Sequence, residues 1–366
     1  MTDVGRDEAH MARALCLAWR GLYSTDPNPR VGCVVVKNDE IVGEGWHERA
    51  GEPHAEVHAL REAGERARGA SVFVTLEPCC HQGRTSPCTD LLVQAQVGRV
   101  VVAMEDPNPE VNGGGLAALK SAGLRVEVGL LREQAETLNP GFVSRMCRRR
   151  PFVRAKLAAS LDGRTAMRSG ESQWISGEAA RADVQRWRAR SSAILSGIGT
   201  VLADDPALTV RDLQVGRQPL RVVVDTHLRT PPTAKLLVQD GAVVIITASN
   251  DGERAQRLQQ AGAEVVCLSG ENGSVDLHGL MRHLGVREVN EVLLESGATL
   301  CGSLLQAGLV DELLIYLAPT LMGDEARGMF RLPGLEHMQD RIELEIKDVR
   351  AVGRDWRFIA KVRREA

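Results

Sequence analysis

Apolar residues recur at helical spacing over positions 7–22 (Met11, Ala14, Leu15, Ala18, Leu22), which predicts a first helix. VGCVVV (31–36) and IVGEGW (41–46) then flank the polar KNDE and read as a hairpin. A helix from about 54, a strand SVFVTL (71–76), a second helix and a strand RVVVAM (99–104) follow. Helix GGLAALKSAG and strand LRVEV (124–128) close the series. Strands alternating with helices of this length predict an α/β layered domain.

The basic run MCRRRP (146–151), closed by a proline, reads as a solvated loop separating two domains, 1–147 and 148–366. Beyond it, AILSG (193–197), LRVVVD (220–225), AVVIIT (242–247), VNEVLLE (289–295) and ELLIYLA (312–318) are buried-strand candidates. The last two bracket a helix, ATLCGSLLQAG. This half carries enough apolar sequence for its own core, and neither a G-x-G-x-x-G nor a Walker A pattern occurs in it.

Composition narrows the function. Of 366 residues, 43% are hydrophobic and 25% charged, the balance of an ordinary globular protein. A formal charge of −3 offers no basic field for nucleic acid, and 3% aromatics leave few platforms for stacking bases. The charged start MTDVGRDEAHMARAL lacks a secretory h-region, and no apolar run reaches a membrane span. A cytoplasmic enzyme is expected. Three of the eight cysteines fall close together, which in such a chain points to metal before disulfides.

The chemistry concentrates in two stretches, EPHAEVHAL (52–60) and EPCCHQGRTSPC (77–88). His54 and His58 are one helical turn apart, but a zincin needs its glutamate directly after the first histidine, and here it is Glu56. H-x-E followed by P-C is instead the pattern of zinc deaminases. Zinc hydrolysis needs three protein ligands and one open position. His54 and two thiolates supply three, while Glu56, near a helix N-terminus opened by Pro53, can shuttle protons without binding the metal. Cys80 competes with Cys79, because adjacent helical residues point about 100° apart and cannot easily both chelate. We take Cys79 and Cys88, each preceded by proline. His58 reads as a packed helix residue.

PNPRVGCVVV, HAEVHAL and TLEPCCHQGRTSPC together resemble the deaminase half of the bifunctional riboflavin-biosynthesis deaminase/reductase family, whose second thiolate follows the loop P-C-x-H-x-G-R-T-x-P-C. KLAASLDGRTA (156–166), SGESQWIS (169–176), TVLADDPALTVR (200–211) and LLESGATLCGSLL (293–305) resemble its reductase half. The resemblance spans essentially the whole chain. It implies a cytidine-deaminase-like three-layer αβα domain followed by a dihydrofolate-reductase-like α/β domain, with Zn2+ and NADPH as cofactors. It also implies deaminase substrate contacts at Asn28, His47 and Arg84. NADPH contacts are implied at Ala158, Trp174, Thr200, Asp204, Thr226 and the run Gly297, Ala298, Thr299, Leu300, Cys301, Gly302, Ser303. Reductase substrate contacts are implied at Ser172, Arg188, Leu208, Arg211 and Glu295.

Lys156 and Asp162 lie on the first strand of that half and the turn after it, where pocket residues are expected. Gly297 and Gly302 follow a buried strand and open a helix, so close backbone approach and free N–H groups would suit a pyrophosphate. Trp174 could equally be a core tryptophan, and the arginine-rich helix around Arg188 a solvated face.

The expected reaction is hydrolytic removal of the 2-amino group from 2,5-diamino-6-ribosylamino-4(3H)-pyrimidinone 5′-phosphate. NADPH-dependent reduction of the ribosyl group then gives 5-amino-6-ribitylamino-uracil 5′-phosphate. A homo-oligomer is expected, without nucleic-acid or membrane partners. Two rivals are a base-modifying RNA-binding protein and a closed structural zinc site using His81 or Cys80 as a fourth ligand.

Overall fold

The computed structural model describes residues 3–80 and 87–363. They form two compact units, Met1–Arg149 and Arg150–Ala366.

In the first unit the elements run α1 (Asp3–Ala18), β1 (Gly32–Lys37), β2 (Glu40–Trp46), α2 (Ala55–Ala63), β3 (Ser71–Val74) and α3 (Cys88–Gln94). β4 (Arg99–Val102), α4 (Gly114–Ser121), β5 (Arg125–Val128), α5 (Arg132–Leu138) and α6 (Pro140–Arg148) follow. The first helix thus starts earlier than its apolar pattern predicts and stops at Ala18, where a 3-10 turn (Trp19–Gly21) takes over. Asn38 and Asp39 both have positive φ, the geometry of the tight turn that matches the twist of a hairpin.

The sheet order is β2-β1-β3-β4-β5, antiparallel across β2, β1 and β3 and parallel from β3 to β5. Strand alternation sends Cys33, Val35, Val72 and Val74 to one face, against Ala55, Ala59 and Leu116. It sends Val34, Val36 and Phe73 to the other, against Met11, Ala14 and Leu138. The result is the three-layer arrangement expected.

Close packing of α2 depends on two glycines of β2. A Cβ at Gly43 would lie 2.1 Å from the Ala59 carbonyl oxygen, and one at Gly45 2.2 Å from that of Ala55. Glycines two apart on a strand share a face, and alanines four apart on a helix share a stripe. Backbone therefore packs against backbone, and the N-terminus of α2 is fixed on the hairpin.

The second unit opens with β6 (Phe152–Ser160), β7 (Arg164–Ala166), α7 (Glu178–Arg190), β8 (Ala193–Gly197) and α8 (Ile198–Asp204). It continues through β9 (Leu220–Val224), α9 (Lys235–Val238), β10 (Val243–Thr247), α10 (Gly252–Gln260), β11 (Glu264–Cys267) and α11 (Leu277–Val286). It ends with β12 (Glu291–Leu294), α12 (Ala298–Gln306), β13 (Glu312–Ala318), β14 (Arg327–Gly328), β15 (Leu344–Val352) and β16 (Asp355–Val362). The main sheet order is β11-β10-β9-β8-β12-β6-β13-β16-β15. Strands β11 to β13 of that order are parallel, and β16 and β15 add an antiparallel edge. β8 to β11 step toward one edge, after which β12 returns between β8 and β6. Such a reversal opens a crevice at the carboxyl ends of the strands.

MCRRRP is the end of a helix rather than a loop: Cys147, Arg148 and Arg149 are exposed, as expected, but Arg150 is not. Met146, Cys147 and Arg148 end α6, and Arg149 caps it in the left-handed region. Arg150 is buried and pairs through two nitrogens with Asp311, at 2.9 and 2.8 Å, while Asp311 also accepts the Val153 N–H. Arg150 looks solvated in the sequence only because its acidic partner lies 161 residues away.

The glycine packing gives a direct test. Gly45→Ala is expected to destabilise the first unit by about 1–3 kcal/mol, since the clash is with backbone that cannot rotate away. Gly252→Ala, at the open start of α10 with nothing near its Cβ position, is expected to be neutral or slightly stabilising. Calorimetric unfolding of both variants checks the difference, and equal transitions would contradict the packing described.

Candidate metal centre and reductase site

His54 occupies the N-cap of α2 in an extended conformation, and its side chain makes no capping bond. The imidazole is thus free to face away from the helix. Its Nδ1 lies 3.3 Å from Cys88 Sγ and 3.5 Å from Cys79 Sγ. Cys79 follows β3, and Cys88 is the first residue of α3, where a thiolate gains from the helix N-terminus. The Cys88 N–H also points at Cys79 Sγ, 3.4 Å away. All three donor atoms lie within 4.8 Å of one another.

Zinc fits this set. With Zn–S about 2.3 Å and Zn–N about 2.0–2.1 Å, tetrahedral geometry separates nitrogen from sulfur by about 3.6 Å. Cys80, half-buried, is not part of the cluster; its Sγ lies 3.0 Å from where a Cβ on Gly114 would stand.

Hydrogen bonding from Cys88 holds the Cys79 thiol well below its ordinary value, and His54 adds to this against the opposing effect of burial. The same bond, with burial, pushes Cys88 up. Glu56 is 3% exposed in the first turn of α2. Burial pushes its carboxyl above the usual range, opposed by the nearby His54 and reinforced by Cys79.

Next to this group, Asn28 Nδ2 meets His47 Nε2 at 3.1 Å, and His47 Nδ1 meets the Pro53 carbonyl at 3.2 Å. With the amide nitrogen facing the ring, Nε2 accepts and Nδ1–H donates, which fixes a neutral tautomer. Burial lowers the His47 pKa, consistent with that state. The His47 and His54 rings meet edge to face, 5.4 Å apart. His58 packs against β2, its Nε2 buried without a partner among the described residues. Arg84 and His81 lie outside the described residues.

The carboxyl ends of the parallel strands gather much of the second set. Thr200 and Asp204 lie in α8 after β8, Thr226 follows β9, and Glu295 follows β12. Gly297 caps α12 without a side-chain bond and faces open space, leaving the first-turn N–H groups of Ala298, Thr299 and Leu300 without intrahelical partners. Thr299 is exposed and Ser303 half-buried, whereas Cys301 and Gly302 are buried. Gly302 makes room for a different neighbour than expected: a Cβ there would lie 2.0 Å from the Arg331 carbonyl oxygen.

Lys156 and Ala158 sit half-buried on one face of β6. Glu295 pairs with Arg188 through Nε at 2.6 Å and Nη2 at 2.9 Å, while Arg188 Nη1 donates to the Thr209 carbonyl. The arginine-rich helix is therefore not a solvated face at this point. Burial alone would push Glu295 up, but Arg188, with Lys156 and Arg211, outweighs it and holds the carboxyl below its ordinary value. Burial likewise lowers Lys156, with Glu295 opposing.

Arg211 is exposed on its side chain and held by its N–H to Gln185. Leu208 is buried, in the left-handed region, so only its backbone can meet a ligand. Asp162 is exposed, but its carboxylate accepts from Ser160, Met322 and Gly323, which ties down a turn. Ser172 is half-buried. Trp174 is 69% exposed under the Arg181 guanidinium, 4.7 Å from the ring centre, and so is not a core tryptophan. Among the described residues no helix is long and apolar enough to cross a membrane.

Sequence reasoning passed over Glu77. It is buried, and its carboxylate accepts four backbone N–H groups. An acid between a buried strand and a proline, with a triple glycine further on, was the available signal.

Comparison with known proteins agrees in both halves. Residues 4–104 match the cytidine and deoxycytidylate deaminase zinc-binding region, and residues 151–358 the RibD C-terminal domain. The riboflavin biosynthesis protein RibD of Escherichia coli K12 is 51% identical, over 96% of this chain and 98% of its own. That of Haemophilus influenzae is 49% identical, over 96% of both. The structure of Acinetobacter baumannii RibD, form 1, superposes with a TM-score of 0.92 at 47% identity, over 99% of this chain and 100% of the other. A Thermotoga maritima structure described as a diaminohydroxyphosphoribosylaminopyrimidine deaminase/5-amino-6-(5-phosphoribosylamino)uracil reductase gives 0.88 at 32%, over 98% and 99%. The chain belongs to the RibD family, the bifunctional enzymes of riboflavin biosynthesis that join a zinc-dependent deaminase to an NADPH-dependent reductase.

Proposed function

We propose that His54, Cys79 and Cys88 hold the zinc of the deaminase and that Glu56 moves its protons. The observation that carries this is one imidazole nitrogen and two sulfurs within 4.8 Å, with a buried carboxylate on the same helix turn. Zinc held by three protein ligands supplies an open fourth position where water loses its proton near neutral pH. Glu56, with its pKa raised by burial, is suited to take that proton and return it to the pyrimidine ring nitrogen and the departing amine. Asn28 and His47, locked to each other and to Pro53, offer a rigid polar wall for the ring. Arg84 is carried as a phosphate contact on the resemblance alone.

In the second unit NADPH, when bound, supplies the hydride for the sugar C1. The free N–H groups opening α12 suit its pyrophosphate. Ala158, Trp174, Thr200, Asp204 and Thr226 are assigned with the run 297–303 to the cofactor. Cys301 and Gly302 contribute packing within that run. Lys156, Asp162, Ser172, Leu208, Arg211 and Glu295 are assigned to the substrate. Arg188 is assigned with them: three of its five N–H donors hold Glu295 and the Thr209 carbonyl, and the other two, with Arg211, suit the substrate phosphate. The domain division at 147/148, a cytoplasmic homo-oligomer and the absence of nucleic-acid partners belong to the same reading.

Zinc content, ammonia release and NADPH oxidation with supplied deaminated intermediate test the first site. Cys88→Ser is expected to lose zinc and ammonia release. Glu56→Gln is expected to keep zinc but to release ammonia about 10²–10⁴-fold more slowly. Both should reduce the intermediate at the wild-type rate. Full zinc in Cys88→Ser, or wild-type deamination by Glu56→Gln, would overturn the corresponding role.

For the second site, the lowered pKa of Glu295 sets the sign. Its stabilisation is fully present above the unfolded value of about 4.3 and is lost as pH falls through the lower folded value. Glu295→Gln, which leaves Arg188 without its partner, is expected to destabilise by about 3–5 kcal/mol at neutral pH. The difference should shrink below about pH 4. Denaturant unfolding from pH 3 to 7 measures it, and a difference that grows toward acid would contradict the charged pair.

A further inference from the structure

Cys79 and Cys88 are separated by eight residues, CHQGRTSP. A C-x-x-C turn presets its two sulfurs by its own tight geometry, but an eight-residue connection does not. The two thiolates must therefore be positioned by what holds each end. Cys88 is fixed as the first residue of α3. Cys79 is fixed from a less obvious direction.

Two residues before it stands Glu77, 4% exposed. Its Oε2 accepts the N–H groups of Asp106 and Gly113, both at 3.0 Å. Its Oε1 accepts those of Gly115 at 2.9 Å and Leu116 at 3.1 Å. Four donors fill the capacity of the two oxygens, so this carboxylate is not available as a metal ligand or a base. The donors come from both ends of the 106–113 loop and from the N-terminus of α4, where a negative charge is favoured.

The contact is tight on the chain side as well. A Cβ on Gly115 would lie 2.1 Å from the Pro78 carbonyl oxygen, so α4 presses directly on the peptide that leads into Cys79. On the other side of Cys79, its carbonyl accepts the Thr89 N–H of α3 at 3.2 Å. Cys79 is thus clamped between a carboxylate-anchored turn and the helix that carries the second thiolate.

We propose that Glu77 is the positioning residue of the metal centre: its carboxylate locks the Pro78–Cys79 turn against the start of α4, holding Cys79 Sγ at ligand distance. This rests on the assignment of His54, Cys79 and Cys88 as the zinc ligands. It makes Glu77 part of the deaminase machinery although it touches neither metal nor substrate. A carboxamide in its place turns a donor toward backbone N–H groups and releases the turn.

The test uses the full-length protein with zinc removed, titrated with Zn2+ against a chromophoric chelator and with Co2+ by absorption. Co2+ reads the ligand geometry through its thiolate charge-transfer and d–d bands. Glu77→Gln is expected to weaken zinc binding about 10–100-fold and to shift and weaken those bands. Glu77→Asp, which keeps the charge but shortens the arm, should fall between it and the wild type and covers the case in which Glu77→Gln does not fold. Val101→Ala, a buried site on the opposite face of the sheet, controls for stability. It should lower the unfolding temperature while leaving zinc affinity and the Co2+ spectrum unchanged.

Reduction of supplied intermediate should be the same in all four proteins. If both Glu77 variants bind zinc and give Co2+ spectra like the wild type, with only a lower unfolding temperature, the proposal is overturned and Glu77 is a helix cap. If the wild type itself shows no thiolate charge-transfer band, the ligand assignment falls, and the proposal with it.

Discussion

The metal centre depends on one packing constraint, the direct contact of α2 with the glycine face of the β1–β2 hairpin. A side chain at Gly43 or Gly45 would collide with the α2 backbone and force the helix away from the hairpin. That contact fixes where the helix begins, and its first residues carry the chemistry. His54, at the N-cap, turns its ring outward to the thiolates, and Glu56, in the first turn, is drawn under cover. Burying a carboxylate is unfavourable unless something compensates. The helix N-terminus and the His54 ring oppose that cost here, and the carboxyl still lies above its usual range, which suits the proton-transfer role proposed for it.

The two units arrange charge in opposite ways. The first collects acidic groups, two thiols and a carboxylate, around space that suits a dication. The second surrounds one carboxylate, Glu295, with Arg188, Lys156 and Arg211. That excess of positive charge, at the carboxyl ends of parallel strands, suits anionic ligands, as do the N–H groups opening α12. In each unit the helix start is part of the site: α2 and α3 in the first, α12 in the second.

What was legible in the sequence was mainly local. Alternating valines marked the strands, and H-x-E with two P-C pairs picked out the three side chains that the structure brings within 4.8 Å of one another, because a motif whose parts sit within one turn of a helix survives reading in one dimension. What was missed joins distant positions. Arg188 and Glu295 are 107 residues apart, and a helix rich in arginine looks solvated until its partner is found. Arg150 needed Asp311, 161 residues on. Glu77 sits inside a motif already noticed, yet its partners lie 29 to 39 residues later and are backbone groups, which no residue type announces. Gly302 looked like a phosphate glycine because strand–Gly–helix turns share one pattern, while the close neighbour is the Arg331 carbonyl.

The most direct test of the metal centre is X-ray absorption at the zinc edge, on wild type and Cys80→Ser. The expected first shell in both is two sulfurs at about 2.3 Å, one imidazole nitrogen and one further light atom at about 2.0 Å. That shell is an open site built by His54, Cys79 and Cys88. Three sulfurs in the wild type falling to two in Cys80→Ser would instead describe a closed site that includes Cys80. It would remove the vacant position on which hydrolysis depends.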